Sequence, residues 1–250
     1  MSIRFALLGD VVIRSGASDI VPGSPRQRCV LALLAIDVNR PLSLDTLVDR
    51  VWGTAPPPRA SGTLYSYISR LRALRSAAAD REEWDIVRSP AGYTLRADED
   101  LVDLARFRSL AGRARGAPPQ EAKRRYGEAL ALWRGRPFAG LTSDWLDAYR
   151  TTLAAEHLRV RLELHELLLD EGRHADLVPA LTALATEHPL DERVAHQHIL
   201  SLYRGGQHAA ALAAYERLRQ ELAEALGVDP GPRLQELHQR MLVSPDELLR

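Results

Sequence analysis

Apolar and polar positions come in short runs at the start of the chain and then settle into a helical period. Residues 3–8 (IRFALL) and 11–14 (VVIR) are β-prone runs split by Gly9-Asp10, which predicts a hairpin. A weaker third strand fits Ile20-Val21, closed by Pro22-Gly23. Ser24 then reads as an N-cap with Pro25 at the first helical position, and Val30, Leu31, Leu33, Leu34 and Val38 give that helix a broad apolar face ending by Asn39. Pro41-Leu42 interrupts the pattern. Ser43 starts a second capped helix, with Leu44, Leu47, Val48 and Val51 inward and Asp45 in its first turn, stopping at Trp52-Gly53. After the proline-rich loop TAPPPR, Leu64, Ile68 and Leu71 mark the inward stripe of a third helix over 59–79. DIVR (85–88) and YTLR (93–96) follow as strands joined by Ser89-Pro90-Ala91-Gly92. This order, β-β-(β)-α-α-α-β-hairpin, predicts a winged helix behind an N-terminal sheet. The third helix would enter a DNA groove and the hairpin would form the wing.

From about residue 97 the pattern is helical throughout. Leu104, Phe107, Leu110, Ala111 and Ala114 form one face; Ala122, Tyr126, Ala129, Leu130 and Trp133 form the next, after Pro118-Pro119. The Gly/Pro-rich connector RGRPFAGL (134–141) precedes Trp145 and a long helix through Tyr149, Leu153, Leu158 and Leu162 to Leu169. Residues 168–175 (LLDEGRHA) then recur as 202–209 (LYRGGQHA), at an offset of 34. That is the tetratricopeptide period, with the Gly-x-His-Ala turn opening the second helix of each pair. Leu181 and Leu184 map onto Tyr215 and Leu218, and the earlier helices fit the register poorly. Such pairs stack and leave a concave face for partners. The expected fold is mainly α with a small β component. Residues 1–96 would form a winged helix-turn-helix domain and 97–250 an all-α tetratricopeptide-like domain.

The third helix carries the chemistry. Opposite its apolar stripe lie Gly62, Ser66, Ser69, Arg70 and Ala73, and its only charges are Arg59, Arg70, Arg72 and Arg75; no acid occurs between Asp49 and Asp80. Small residues allow close approach to base edges, and arginines attract phosphates, so this face is shaped for a major groove. A core helix with a basic solvent face is the plainer alternative. The whole chain has 33 basic and 33 acidic residues, yet 1–96 hold 13 Arg against 9 acids, leaving the remainder net acidic. A basic front and an acidic back fit a DNA-binding domain joined to something else. Arg26 and Arg28 stand in the first turn of the first helix, where the dipole disfavours cations, so they answer either to a phosphate or acidic partner or to nothing but solvent.

Enzymatic chemistry finds no footing. His165-Glu166 opens an HExxH-like spelling, but position 169 is Leu; His196 and His198 are two apart and share no helix face. No phosphate-binding glycine loop or nucleophile elbow is spelled, and the carboxylates are scattered. No cofactor is expected. Trp133, Trp145, Tyr203 and Tyr215 read as core. The single Cys29 precludes an internal disulfide, and an opening broken by Arg4 and Asp10, with no apolar run near 18 residues, points to a soluble, cytoplasmic protein associated with the nucleoid and not with membranes.

Four stretches carry a family resemblance: PRQR (25–28), LVDRVWG (47–53), YISRLR (67–72) and RSPAGY (88–93). Together they resemble the OmpR/PhoB-type DNA-binding domain, in the variant of the Streptomyces antibiotic regulatory proteins. WRGRPFAGL, HPLDERV and the run ALAAYERLRQELAEALGVDPGPRLQELHQRML resemble the bacterial transcriptional activation domain of the same regulators over about 98–245. The resemblance implies a sequence-specific activator that binds direct repeats near a promoter −35 region as a tandem homodimer. It further implies recruitment of RNA polymerase through its sigma or alpha subunit and control of an antibiotic or other secondary-metabolite gene cluster. It also implies DNA contacts at Arg59, Thr63, Tyr65, Ser66, Ser69, Arg70, Arg72 and Arg88. Arg59, Arg72 and Arg88 would meet phosphates, while Arg70, helped by Ser66 and Tyr65, would read a guanine. The loop Thr54-Ala55-Pro56-Pro57-Pro58 would touch polymerase. An interaction scaffold or a repressor with the same fold are the competing readings.

Overall fold

A three-stranded antiparallel sheet opens the computed structural model, which describes residues 3–16, 18–77 and 83–243. Its strands β1 (Ile3–Ala6), β2 (Val12–Ser15) and β3 (Ser18–Ile20) lie in that order, with Phe5 opposite Ile13 and Arg14 opposite Asp19. The apolar run of the first strand continues to Leu8, but pairing with β2 ends at Ala6. Leu7 and Leu8 instead bond to distant parts of the chain, as described below.

Three helices follow. Helix α1 (Pro25–Ile36) is capped by Ser24 Oγ, which accepts from Gln27 N, and α2 (Leu44–Trp52) by Ser43, which accepts from Thr46 N. Each cap satisfies one of the orphan amides of a first turn, a contribution of about 1 kcal/mol. Helix α3 (Ala60–Ala77) packs on α1 and α2, with Leu64, Ile68 and Leu71 fully buried. Residues 78–79 of the expected helix lie outside the described residues. The wing consists of β4 (Trp84–Ser89) and β5 (Gly92–Ala97). Leu42 and Tyr93 exchange both backbone bonds at 2.8 Å, which brings Leu42 against the wing turn. Gly92 is required there: its φ is +129° and a Cβ would stand 1.9 Å from Leu42 O.

Past the 3₁₀ turn Glu99–Leu101 come α4 (Asp103–Ala114), α5 (Pro119–Leu130) and α6 (Asp144–Asp170). The chain divides into two compact units, Met1–Leu158 and Arg159–Arg250, so the boundary falls inside α6. Within the first unit, a seam joins the N-terminal sheet to the helices that follow the wing. The buried Asp103 carboxylate accepts Leu7 N at 2.9 Å and Leu8 N at 3.1 Å, and pairs with Arg134. Burial pushes the Asp103 carboxyl up, while these amides and the guanidinium pull it back down. The connector returns to the same strand end: Arg134 N, Phe138 N and Ala139 N donate to Leu8 O, Leu7 O and Gly9 O at 2.8–2.9 Å. Arg150, 9% exposed, fixes the connector by donating to Pro137 O, Phe138 O and Leu141 O at 2.8–2.9 Å. With Nη1 paired to the Asp147 carboxylate and its other donors on carbonyls, the guanidinium is a tolerable buried charge.

The second unit holds the end of α6 with α7 (His174–Glu187), α8 (Glu192–Arg204), α9 (His208–Leu226) and α10 (Pro232–Val243). The sequence repeat is a geometric repeat. Gly172 and Gly206 sit at φ 79° and 78°, and Arg173 N and Gln207 N donate to Leu168 O and Leu202 O at 3.0 and 2.8 Å. Leu181, Leu184, Tyr215 and Leu218 are buried as the register requires. Tyr203 is buried too, but Trp133 and Trp145 are only half-buried: Trp133 stacks on His157 and Trp145 lies between Arg50 and Tyr149. Among the described residues no helix is long and apolar enough to cross a membrane, and no group of three His, Cys, Asp or Glu could hold a metal ion. Burial raises the Cys29 thiol to about 12, which makes it inert.

Candidate nucleic-acid interface

Helix α3 presents a clean division of faces because its apolar residues recur at three- and four-residue spacing. Opposite the buried stripe, Ser61, Gly62, Tyr65, Ser66, Ser69, Arg70 and Ala73 are exposed and Thr63 is partly so. Apart from its chain neighbours and its own helix backbone, nothing among the described residues lies within 4 Å of a Cβ built on Gly62. A glycine inside a helix costs about 0.5–1 kcal/mol relative to alanine, and here no internal packing compensates for it. Space is kept on the outside.

The hydroxyls on this face are polarised in one sense. Thr63 Oγ1 donates to Arg59 O and Ser66 Oγ donates to Gly62 O, both at 3.1 Å. With their protons committed to the helix, these oxygens turn lone pairs outward and act as acceptors.

The arginines separate into two groups that the helical pattern does not distinguish. The Arg59 and Arg70 side chains are exposed and make no hydrogen bond or ion pair among the described residues. Arg72 and Arg75 are half-buried and clasp the wing: Arg72 Nε donates to Ile86 O at 2.7 Å and Arg75 Nε to Trp84 O at 2.6 Å. Arg88, exposed on β4, lies over the rings of Tyr65 and Tyr93 at 5.6 and 5.9 Å from their centroids, and Arg72 lies over Tyr93 at 5.8 Å. Tyr65 meets Tyr93 edge-on at 6.4 Å. Arg72, Tyr93, Arg88 and Tyr65 thus form one stack that sets the wing against the groove-facing helix. Arg26, left open between an anion and solvent in the sequence reading, donates to Val51 O and to Thr142 O, bracing the end of α2. Ser143 Oγ donates to Arg50 O beside it. Downstream of these anchors Thr54, Ala55, Pro56, Pro57 and Pro58 are all exposed, an open loop leading into α3.

Known proteins match both halves. The family described as "Transcriptional regulatory protein, C terminal" matches residues 18–95, and the bacterial transcriptional activator domain matches 102–242. The regulatory protein DnrI of Streptomyces peucetius is 32% identical over 250 residues, which cover 96% of this chain and 92% of DnrI. The chain belongs to the Streptomyces antibiotic regulatory protein family. The regulatory protein AfsR of Streptomyces griseus is 36% identical over all of the chain, which spans only 25% of AfsR. Mycobacterium tuberculosis EmbR, solved in complex with a low-affinity phosphopeptide, superposes with a TM-score of 0.88 at 30% identity, covering 99% of this chain and 68% of that one.

Within the matched regions the chain brings Arg59, Thr63, Tyr65, Ser66, Ser69 and Arg70 to one side of α3, with Arg88 on the wing beside them. Arg72 faces the wing instead. The seam residues Asp103, Arg134, Ser143 and Arg150 escaped the sequence reading. Each looks like an ordinary helix-start acid, connector residue or surface arginine until its distant partner is known.

Proposed function

We propose that this protein reads promoter DNA with α3 and the wing and activates transcription by recruiting RNA polymerase. One observation carries the reading: the exposed, acid-free face of α3 offers unpaired guanidinium groups at Arg59 and Arg70 and an open glycine at 62, while its other arginines are engaged with the wing. Arg70 reads a guanine bidentately. Ser66 and Thr63, as acceptors, favour the amino groups of cytosine or adenine. Arg59 and Arg88 meet phosphates and set register. Arg72 acts mainly by holding the wing at the right angle.

Binding is to direct repeats by two copies arranged head to tail. The loop 54–58 and the acidic helical half make the polymerase contact, and residues 1–96 and 97–250 divide the labour accordingly. The regulated genes form an antibiotic or other secondary-metabolite cluster, in keeping with the family to which the chain belongs.

Gel retardation on promoter fragments from such a cluster tests the reading. Two protomers on one DNA face require repeats spaced by whole turns of about 10–10.5 bp. Cooperative retardation should therefore vanish when about half a turn is inserted between repeats. Specific retardation that survives the insertion with full cooperativity would exclude the tandem arrangement, and no specific retardation at all would exclude the DNA reading.

A further inference from the structure

The second unit contains a groove that the DNA reading does not use. Its walls are the end of α7 and one face of α9, and α8 forms its floor. Ala185, Pro189, Ala195, Ile199, Ala214 and Leu218 give it an apolar lining around about 300 Å³. A shallower hollow lined by Pro189, Leu190, Glu221, Glu224 and Ala225 shares Pro189 and Glu221 with it, so the two run together along α9. Leu190 is exposed at its outer end.

The polar groups of this groove are mostly acceptors. Thr182 Oγ1 donates to Val178 O at 2.8 Å, and Thr186 Oγ1 to Thr182 O at 3.0 Å, so both protons are committed to α7. His198 Nε2 lies 3.0 Å from Thr182 Oγ1 and must therefore be the donor of that pair, which leaves Nδ1 as an acceptor. Burial, helped by Arg217, keeps the His198 imidazole below its ordinary range and so uncharged at neutral pH. At the outer end stand the carboxylates of Glu221 and Glu224. Neither carboxylate has a hydrogen bond or ion pair among the described residues, although Arg217 precedes Glu221 by four residues. Arg217 is the one cation of the lining and sits by His198, leaving the outer end net negative.

We infer that this groove binds a peptide segment of a partner protein that pairs an apolar side chain with a Lys or Arg about one helical turn away. The apolar side chain fills the space over Ala185, Ile199 and Ala214, and the cation meets Glu221 and Glu224. Charge complementarity selects the occupant. An acidic or phosphorylated segment would bring like charge to the unpaired carboxylates, and a purely apolar one would leave them facing a desolvating neighbour. The inference is independent of the DNA reading, since it concerns only the second unit.

Fluorescence anisotropy with the full chain tests it without DNA. The probe is a labelled peptide of three Leu-Ala-Ala-Arg repeats, compared with three Leu-Ala-Ala-Glu repeats. The arginine peptide should bind saturably and the glutamate peptide should not compete. Glu221→Lys with Glu224→Lys should weaken binding about tenfold, as expected for two partly exposed charge pairs reversed in sign. Ala185→Phe should block the groove. Glu221→Gln with Glu224→Gln, which keeps the side-chain volume, should show an intermediate loss and serves as the folding control. Equal binding of the two peptides, no binding of either, or affinity unchanged by the charge reversal would overturn the inference.

Discussion

Replacing Arg70 by alanine removes an exposed guanidinium that has no hydrogen bond or ion pair among the described residues, so thermal unfolding should be unchanged. Operator binding should weaken by about 1–3 kcal/mol with relaxed preference at one base pair, measured by gel retardation on point-mutated sites. Arg72→Ala should behave differently. It deletes a charged donor to Ile86 O and loosens the stack of Tyr93, Arg88 and Tyr65, so unfolding should come about 1 kcal/mol earlier, with DNA affinity falling because the wing is misplaced. A normal melting curve for Arg72→Ala, with binding weakened equally on all sequences, would return that residue to the phosphate-contacting group. Gly62→Ala offers the opposite pairing of effects: a stability gain of about 0.5–1 kcal/mol, because the added methyl meets open space, together with weaker operator binding. At this scale the sequence showed which residues lie opposite the apolar stripe of α3. It could not show that Arg72 and Arg75 have carbonyl partners in β4, because a helical wheel contains no wing.

Among elements, the open loop before α3 makes the most exposed claim. Thr54–Pro58 is held at one end by Gly53 N, which donates to Asp49 O at 2.7 Å, and the three prolines limit its conformations. Little entropy is lost if a second protein docks on it. Pro56→Gly with Pro57→Gly should lower transcription while DNA affinity stays intact, when reporter output and gel retardation are measured on the same variant. A parallel loss of both would leave the prolines a purely structural role. The Ser24 and Ser43 caps and the tetratricopeptide register were legible in the chain, since Ser24, Ser43, Gly172 and Gly206 act within a turn of where they stand; some helix ends were not, as α5 stops at Leu130, before the Trp133 that its apolar pattern included. The seam was not legible. Its partners are separated by about a hundred residues, as with Leu7 and Asp103, and no local periodicity encodes which strand end a connector will meet.

Over the whole molecule the two compact units should respond differently to acid. Burial holds His165 and His196 down from the ordinary 6.5 to about 4, with Arg161 and Arg233 adding to the shift, and His174 and His198 are lowered too. All four belong to the second unit. A depressed base takes up its proton in the unfolded chain first. The stability it contributes is therefore complete above pH 6.5 and is lost as the pH falls from there toward about 4. Allowing for partial exposure, the loss should be about 2 kcal/mol over that window, read from urea unfolding of the second unit. His165→Gln with His196→Gln should flatten most of the dependence.

The connector that caps β1 also bears on how regulators of this kind can exchange parts. A recombination joint at residue 97 would strip Leu7, Leu8 and Gly9 of their carboxylate and amide partners and leave the buried Asp103 with Arg134 alone. A joint near Leu158 cuts no such bond within the first unit, because it falls inside the continuous helix α6. Chimeras spliced there should fold, and the heritable cassette for choosing a promoter would be the sheet, the winged helix and the first helices after it, transmitted together.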